Sequence, residues 1–148
     1  MSQNLITLGW REWVSLPDLE LAWIKAKVDT GAKTSCLHAF SIKEFTVDDK
    51  KWIRFGIHPR QKDTETELLC EAEVIDERMV SDSGGHKEKR YVISTDIMLA
   101  NQRWPIEITL TNRDNMRFRM LLGRTAMEHK IIVDPGESFL LGKPTTHL

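Results

Sequence analysis

A short acidic turn directly behind an alternating strand is the feature that most constrains how this chain can fold. In the stretch Trp23–Val28, three apolar residues fall on one face and two lysines on the other, which predicts a half-buried β-strand. The turn Asp29-Thr30-Gly31-Ala32 follows at once. Gly31 allows an unusual backbone dihedral and a close approach of main-chain N–H groups to the carboxylate. Asp, Thr and Gly are ordinary turn residues, so a second element is needed to interpret this turn.

The second element lies near the other end of the sequence. Leu121-Leu122-Gly123-Arg124 follows the alternating stretch Met116–Met120. Residues Thr125–His129 then have the pattern of a short helical turn before the apolar strand Ile131–Val133. The predicted order is therefore a strand, a turn of two apolar residues with Gly and Arg, a short helix and a final strand.

The rest of the sequence predicts an all-β fold, because apolar residues recur with a period of two and turn signals return at short intervals. We find no internal repeat, low-complexity tract or linker, and the length of 148 residues fits one domain covering 1–148. The predicted strands are Leu5–Trp13, Trp23–Val28, Ser35–Phe40, Phe45–Val47, Trp52–His58, Glu67–Val80, Lys87–Leu99, Trp104–Thr111, Met116–Leu122 and Lys130–Val133.

One long hairpin is predicted over Glu67–Leu99, with Ser81–His86 at its tip. The glycines Gly84 and Gly85 would let such a tip move over a cleft, as a flap does. An ordinary surface hairpin is the alternative, and its position relative to Asp29 decides between the two.

Composition narrows the surroundings in which the chain works. The formal net charge is −1, from 21 Lys and Arg against 22 Asp and Glu, and the tryptophans form no stacking stripe, so neither nucleic acid nor a membrane is predicted as a partner. The start of the sequence lacks the basic and apolar regions of a signal peptide, and no apolar run is long enough to span a bilayer. We therefore expect a cytoplasmic protein, with Cys36 and Cys70 reduced.

Several motifs taken together resemble one known family over nearly the whole chain. The chain is similar to the bacterial retropepsin-like aspartic protease family that carries the name of ATP-dependent zinc proteases and is associated with ribosomal modification. The matching segments are Gly9–Val14 with Leu16 and Pro17, Ala26–Ser35, Leu37–Ala39, Ser83–Gly85, Arg90–Ile93, Asn112 and Arg113 with Met116–Phe118, and Leu121–Ala126.

The resemblance implies an acid-protease fold, a closed barrel with one short C-terminal helix, and Asp29 as the catalytic residue with Thr30 and Gly31 shaping its turn. It implies that Leu122, Gly123 and Arg124 support this turn from behind. Peptide hydrolysis of this type uses two carboxylates that share one proton, and the chain supplies one such Asp, so a homodimer is expected. The residues then expected to bind substrate are Ala32, Lys33, Ser83, Gly84, Gly85, Arg113 and Arg117.

Neither half of the family's name is supported by the residues. A P-loop would need G-x-x-x-x-G-K-[ST], and Gly84-Gly85-His86-Lys87 has neither that spacing nor the hydroxyl residue. A catalytic zinc needs three suitable ligands, whereas the five histidines are scattered and Cys36 with His38 makes only a pair. We therefore predict no cofactor and no metal site, and expect His38 to be a hydrogen-bonded structural residue.

Cations cluster around both motifs, with Lys25, Lys27 and Lys33 near the acidic turn and Arg113, Arg117, Arg119 and Arg124 near the second element. Guanidinium groups bind carboxylates in a bidentate manner, so an acidic peptide is a candidate ligand. Alternatively, most of these residues form the solvated faces of alternating strands, with Arg124 bridging to a carboxylate near the dimer interface.

Three functions stay open on the sequence. The first is a dimeric aspartic endopeptidase, whose substrate the family resemblance implies to be a glutamate-rich or glutamylated protein. The second is a non-catalytic module that binds acidic tails or a partner ATP-grasp glutamate ligase. The third is a metal-dependent hydrolase.

Overall fold

A computed structural model of the chain describes residues 5–60, 65–81, 84–112 and 118–142. Within them the chain is mostly β-structure with one short α-helix, as the alternating pattern predicts. A 3-10 helix that the sequence did not predict covers Pro17–Leu19, where the fixed φ of proline suits the first helical position. The described elements are β1 Ile6–Leu8, β2 Arg11–Leu16, β3 Leu21–Val28, β4 Ser35–His38, β5 Ser41–Val47, β6 Lys50–Ile57, β7 Leu68–Glu73, β8 Asp76–Ser81, β9 Lys87–Leu99, β10 Gln102–Thr111, β11 Met120–Leu122, α1 Arg124–Met127 and β12 Ile131–Val133.

Six strands pair into a ring that encloses the apolar core. The order is β10-β4-β11-β3-β2-β9, and antiparallel pairing of β9 with β10 joins the two ends. Strand β8 pairs antiparallel with β9 and extends the sheet beyond the ring. Apolar residues from all six ring strands meet inside, including Val14, Ile24, Leu37, Ile97 and Ile108, which are fully buried. Burial of alternate residues on each strand is the physical basis of the period of two.

Two smaller sheets flank the ring. Strands β5, β6 and β7 form a three-stranded antiparallel sheet, and β1 pairs with β12 in parallel. The inner face of the three-stranded sheet carries Ile53, Phe55 and Ile57 into the same core cluster.

Two of the predicted strands are in fact split. The stretch 5–13 changes partner at residues 9 and 10, because Trp10 donates its N–H to Glu137 and accepts from Val28, so that β1 pairs with β12 and β2 with β3. The stretch 67–80 divides at Val74 and Ile75, whose N–H groups bond to Lys51 and Val92 in different sheets. The long hairpin predicted over 67–99 was therefore wrong in its first arm: the hairpin consists of β8 and β9, and β7 belongs to the three-stranded sheet. Of the strand predicted over 116–122, 120–122 is β11 and residues 116–117 lie outside the described residues.

A buried carboxylate fastens the C-terminal segment to β2. Glu12 is fully buried and accepts N–H bonds from Gly9 at 2.7 Å, Leu140 at 2.8 Å and Leu141 at 3.2 Å. Phe139 stacks on Trp13, and its N–H bonds to the carbonyl of Arg11. Hydrogen bonds to backbone N–H groups compensate for the burial of this charge. The segment after β12 is thereby held against β2.

Candidate active site

The acidic turn lies at the end of β3, directly beside the second motif. Strand β11 runs parallel to β3 with Leu122 paired to Val28, and the N–H of Asp29 donates to the carbonyl of Leu122 at 2.9 Å. A backbone hydrogen bond thus joins the two motifs, which are more than ninety residues apart in the sequence. The position of the carboxylate is therefore set by the ring of strands itself.

The turn also holds the Asp29 side chain. The N–H of Gly31 donates to Asp29 Oδ1 at 2.9 Å, and the N–H of Ala32 bonds to the Asp29 carbonyl at 3.3 Å. A Cβ at position 31 would come 3.2 Å from the same Oδ1, so glycine permits the close approach of the backbone to the carboxylate. Asp29 is partly exposed, and Thr30 and Gly31 are exposed. The carboxylate is fixed by the turn but open to solvent.

Gly123 allows the second motif to pass directly under the turn. A Cβ there would lie 2.5 Å from the backbone carbon of Thr34, so only glycine fits between the two segments. The N–H of Gly123 donates to Ser35 Oγ at 3.0 Å. The next two N–H groups, of Arg124 and Thr125, bond to the carbonyls of Ala32 at 2.7 Å and Lys33 at 3.0 Å. The start of α1 is thus tied to the chain that leaves the turn.

Arg124 reaches back to the turn as well. Its Nη1 donates to the carbonyl oxygen of Thr30 at 2.9 Å. The sequence suggested a carboxylate partner for this arginine, and within the described residues its side chain donates to a backbone carbonyl of the same chain. Leu122 and Arg124 therefore bond directly to the turn of Asp29, and Gly123 bonds to Ser35 in the segment that leaves it.

A cleft of about 890 Å³ opens beside Asp29. The acidic turn and the segment that leaves it contribute to its lining, as do strand β8 and residues of β9 and β10. Strand β8 thus lines the same cleft as Asp29. The lining residues are Asp29, Gly31, Ala32, Lys33, Thr34, Cys36, Arg78, Met79, Val80, Ser81, Arg90, Glu107, Thr109, Thr111, Leu121 and Thr125.

The residues expected to bind substrate are only partly brought together. Ala32 and Lys33 line the cleft. Gly84 and Gly85 are exposed at the hairpin tip, and the hairpin meets the cleft through Arg78–Ser81 instead. Ser83, Arg113 and Arg117 lie outside the described residues.

Two arginines of the cleft were missed by sequence reasoning. Arg78 on β8 and Arg90 on β9 both line it, although each stands in an alternating strand and looks like part of a solvated face. Arg90 is only 8% exposed. A signal was present, since Arg90 shares a strand face with the buried Val92. Among the cations near the two motifs, Lys33 lines the cleft, Lys27 is exposed on β3 and Arg124 donates to the carbonyl of Thr30.

Ion pairs organise the arginines. Arg78 bonds to Asp76 at 2.7 Å and Glu107 at 2.9 Å, and these carboxylates raise the pKa of Arg78. Arg90 bonds to Glu88 at 2.8 Å. Burial alone would raise the pKa of Glu88, but the hydrogen bonds from Thr111 and Arg90 outweigh it and hold that pKa below its ordinary value. The part of the cleft lining that carries Arg78 and Arg90 is therefore charged and internally paired.

The described residues contain no group of three or more His, Cys, Asp or Glu side chains that could hold a metal ion. His38 is buried in β4, and His58 stacks on Phe40. Across the described parts of the chain, none of the helices has the length and apolarity needed to cross a membrane.

The chain is similar to proteins of known structure or assigned name. Lpg0085 of Legionella pneumophila, a solved structure of unknown function, is 29% identical with a TM-score of 0.78, covering 94% of this chain and 99% of that one. Proteins named probable alpha-L-glutamate ligase are 48% identical over 143 residues in Shewanella pealeana and 50% identical over 137 residues in Parasynechococcus marenigrum. These matches cover 97% and 93% of this chain but only 31% and 29% of those proteins, so the chain spans less than a third of their length.

A family model provides the assignment. The model described as RimB-like, retropepsin-like aspartic endopeptidase RimB, matches residues 7–144, which include the acidic turn, the hairpin and the glycine support. The chain belongs to the RimB-like family of retropepsin-like aspartic endopeptidases.

Proposed function

We propose that the chain is one subunit of an aspartic peptidase that hydrolyses peptide bonds with two Asp29 carboxylates, one from each copy, sharing a single proton. One observation carries the proposal. Asp29 is fixed on both its backbone and its side chain by N–H bonds of 2.9 Å, yet it remains partly exposed beside a cleft large enough for a peptide segment. Such a carboxylate is suited to meet a second one, whereas a purely structural carboxylate would be enclosed, as Glu12 is.

The need for a dimer follows from the chemistry. Hydrolysis requires a base to activate water and an acid to protonate the scissile carbonyl oxygen at the same time. Two adjacent carboxyl groups satisfy both needs, because the proximity of like charges keeps one of them protonated. In the chain as described, Asp29 stands in an exposed turn at one edge of the cleft, so a two-fold copy could place its own Asp29 opposite.

The reaction then runs in two steps. One Asp29 carboxylate removes a proton from a water molecule, whose oxygen attacks the peptide carbonyl while the other, protonated Asp29 donates its proton to the carbonyl oxygen. The resulting gem-diol collapses as a proton passes to the amide nitrogen and the C–N bond breaks. The products are a carboxylic acid and an amine, and the pair of Asp29 residues again holds one proton. Gly31 and Leu122 would keep one carboxylate in place through both steps.

A glutamate-rich or glutamylated protein is the substrate we propose. Lys33, Arg78 and Arg90 line the cleft, and cationic groups on a cleft wall favour acidic peptides. Relatives named probable alpha-L-glutamate ligase contain a region similar to this chain within a much longer protein. A peptidase of this kind would act on the product of such a ligase, with an ATP-grasp ligase as its partner.

The same relatives favour one alternative, a non-catalytic module that holds acidic tails for a partner ligase. In that case Asp29 would only stabilise the dimer, and the cleft arginines would carry the whole function.

Replacement of Asp29 by Asn separates the two. Asn keeps the shape of the side chain but cannot exchange the proton, so we expect Asp29→Asn to reduce hydrolysis of a glutamate-rich peptide by about 10²- to 10⁴-fold with an unchanged melting temperature. The matched control is Asp48→Asn, since Asp48 lies in the exposed turn between β5 and β6 at a φ of 50° that asparagine tolerates.

Three results would count against the peptidase. Retained hydrolysis by Asp29→Asn, with activity lost on chelation, would indicate a metal-dependent hydrolase. Cleavage by a species that sedimentation over a dilution series shows to be monomeric would exclude the shared-proton mechanism. Tight binding of acidic peptides without any cleavage by the native protein would establish the binding module.

A further inference from the structure

Arg78 and Arg90 are cross-strand neighbours in the hairpin of β8 and β9, and both line the cleft. In the antiparallel pairing of β8 with β9, Arg78 is directly opposite Arg90, so both side chains project from the same face of the hairpin. Like charges in directly opposed positions are unfavourable in a sheet. Ion pairs to Asp76, Glu107 and Glu88 offset this repulsion, so a ligand carboxylate would have to compete with them.

Arg90 is costly to bury and has donors to spare. Its side chain is only 9% exposed, and burial of a charge is unfavourable unless it is well paired. Nε donates to Glu88 at 2.8 Å, and Nη1 makes a weak contact of 3.5 Å to Cys36 Sγ. A guanidinium has five N–H donors, and these two are the hydrogen bonds that the Arg90 guanidinium makes within the described residues. The remaining donors belong to a side chain that lines the cleft.

Arg78 already holds a carboxylate inside the cleft. Its Nη1 bonds to Glu107 at 2.9 Å, and Glu107 is itself a lining residue on β10. Both side chains are substantially exposed, at 36% and 45%, so this ion pair is weak and exchangeable. A second carboxylate entering the cleft could take the place of Glu107 and gain the free donors of Arg90 as well.

We infer that Arg78 and Arg90 form a subsite for a side-chain carboxylate of an acidic peptide, and that Glu107 occupies Arg78 until the ligand displaces it. The inference rests on the proposed function for the identity of the ligand, an acidic peptide. Beyond that function, it assigns ligand specificity to Arg78 and Arg90 of the hairpin and makes Glu107 on β10 a competitor of the ligand. The hydroxyls of Thr109 and Thr111 add polar lining to the same wall.

The test is binding of two probes to protein carrying Asp29→Asn, which prevents turnover. The probes are a short fluorescent oligo-glutamate peptide and its counterpart with glutamine in place of glutamate. The readout, by fluorescence anisotropy, is the affinity for the glutamate peptide divided by the affinity for the glutamine peptide. Adding Arg78→Gln should lower the ratio about tenfold, the value of one lost charge-assisted pair. Adding Glu107→Gln should raise it about three- to tenfold, because the competitor is gone. Arg90→Lys, which keeps the charge but loses the fork, should lower the ratio as well.

The matched control is Arg54→Gln, which removes an exposed arginine paired to Glu71 on the three-stranded sheet and should leave the ratio unchanged. Melting temperatures show that each variant is folded. If Arg78→Gln and Glu107→Gln leave the ratio where Arg54→Gln leaves it, the subsite is excluded, even if the native protein cleaves both peptides. If the ratios shift as expected while the native protein cleaves neither peptide, the subsite stands and the peptidase proposal falls.

Discussion

The support of the Asp29 turn and the hairpin that lines the same cleft are held by different kinds of interaction. Below the turn, Gly123 packs against the backbone of Thr34, and consecutive backbone N–H groups bond to the chain leaving the turn. In the hairpin, Arg78 forms exposed ion pairs with Asp76 and Glu107, and the next residue, Met79, is 65% exposed. Backbone bonds and close packing are insensitive to salt, whereas exposed ion pairs are weak and screened. The support can therefore keep the carboxylate in place while the hairpin adapts to a ligand.

The largest expected effect is on the support. Gly123→Ala would place a Cβ 2.5 Å from the backbone of Thr34, and no side-chain rotation relieves a clash with backbone. We expect a loss of about 3 kcal/mol or more in the free energy of unfolding, measured by chemical denaturation, together with loss of peptide cleavage.

The control for this change is Gly136→Ala, because the nearest atom to a Cβ there is a side-chain oxygen of Asp134 at an ordinary 3.5 Å. It should be close to neutral. Equal stability of the two variants would show that β11 can move away from the turn, and the contrast between support and hairpin would not hold.

A smaller effect is expected where a side chain completes the support. Arg124→Gln removes the 2.9 Å bond to the Thr30 carbonyl, which should cost about 1 kcal/mol of stability and lower kcat by loosening the turn. Denaturation and steady-state kinetics on the same preparations test this, with Arg54→Gln as the surface control. A stability loss with unchanged kcat would mean that Arg124 holds the turn without positioning Asp29.

The smallest effect concerns acid and should appear only in the hairpin. Hydrogen bonds from Arg78 and Lys51 lower the pKa values of Asp76 and Glu77, and the pKa of Glu88 is also lowered. A carboxylate whose pKa is lowered on folding stabilises the fold above its unfolded pKa, and this contribution is lost as the pH falls through the folded value. Hydrogen-exchange protection of β8 should therefore decline below about pH 4, after correction for intrinsic rates, while β11 keeps its protection. Loss of protection in both strands at the same pH would contradict the comparison.

How much the sequence could predict differs between these two regions. The alternation correctly placed β3, β9 and β10, and the motifs at Asp29 and Gly123 identified both sides of the support because their residue types are dictated locally by a turn and a close contact. The break at Val74 and Ile75 was missed, because two β-branched apolar residues continue the pattern of a strand while the chain passes between sheets. Arg78 and Arg90 were missed because their contact depends on the register between strands, which a single strand pattern does not contain.

For the buried Glu12, the sequence pattern indicates the position of the side chain but not its partners. Glu12 alternates with Val14 and Leu16, both fully buried, so its position on the inner face was legible in the sequence. Its partners at positions 140 and 141 were not, because they lie in a segment without regular structure at the far end of the chain.

That buried carboxylate also has a mechanical consequence. The chain runs from β11 through α1 and β12 to the segment held by Glu12, so a pull on residue 142 is resisted first by the Leu140 and Leu141 bonds and the Trp13–Phe139 stack. Force applied there is transmitted to β2, not along the chain to Gly123.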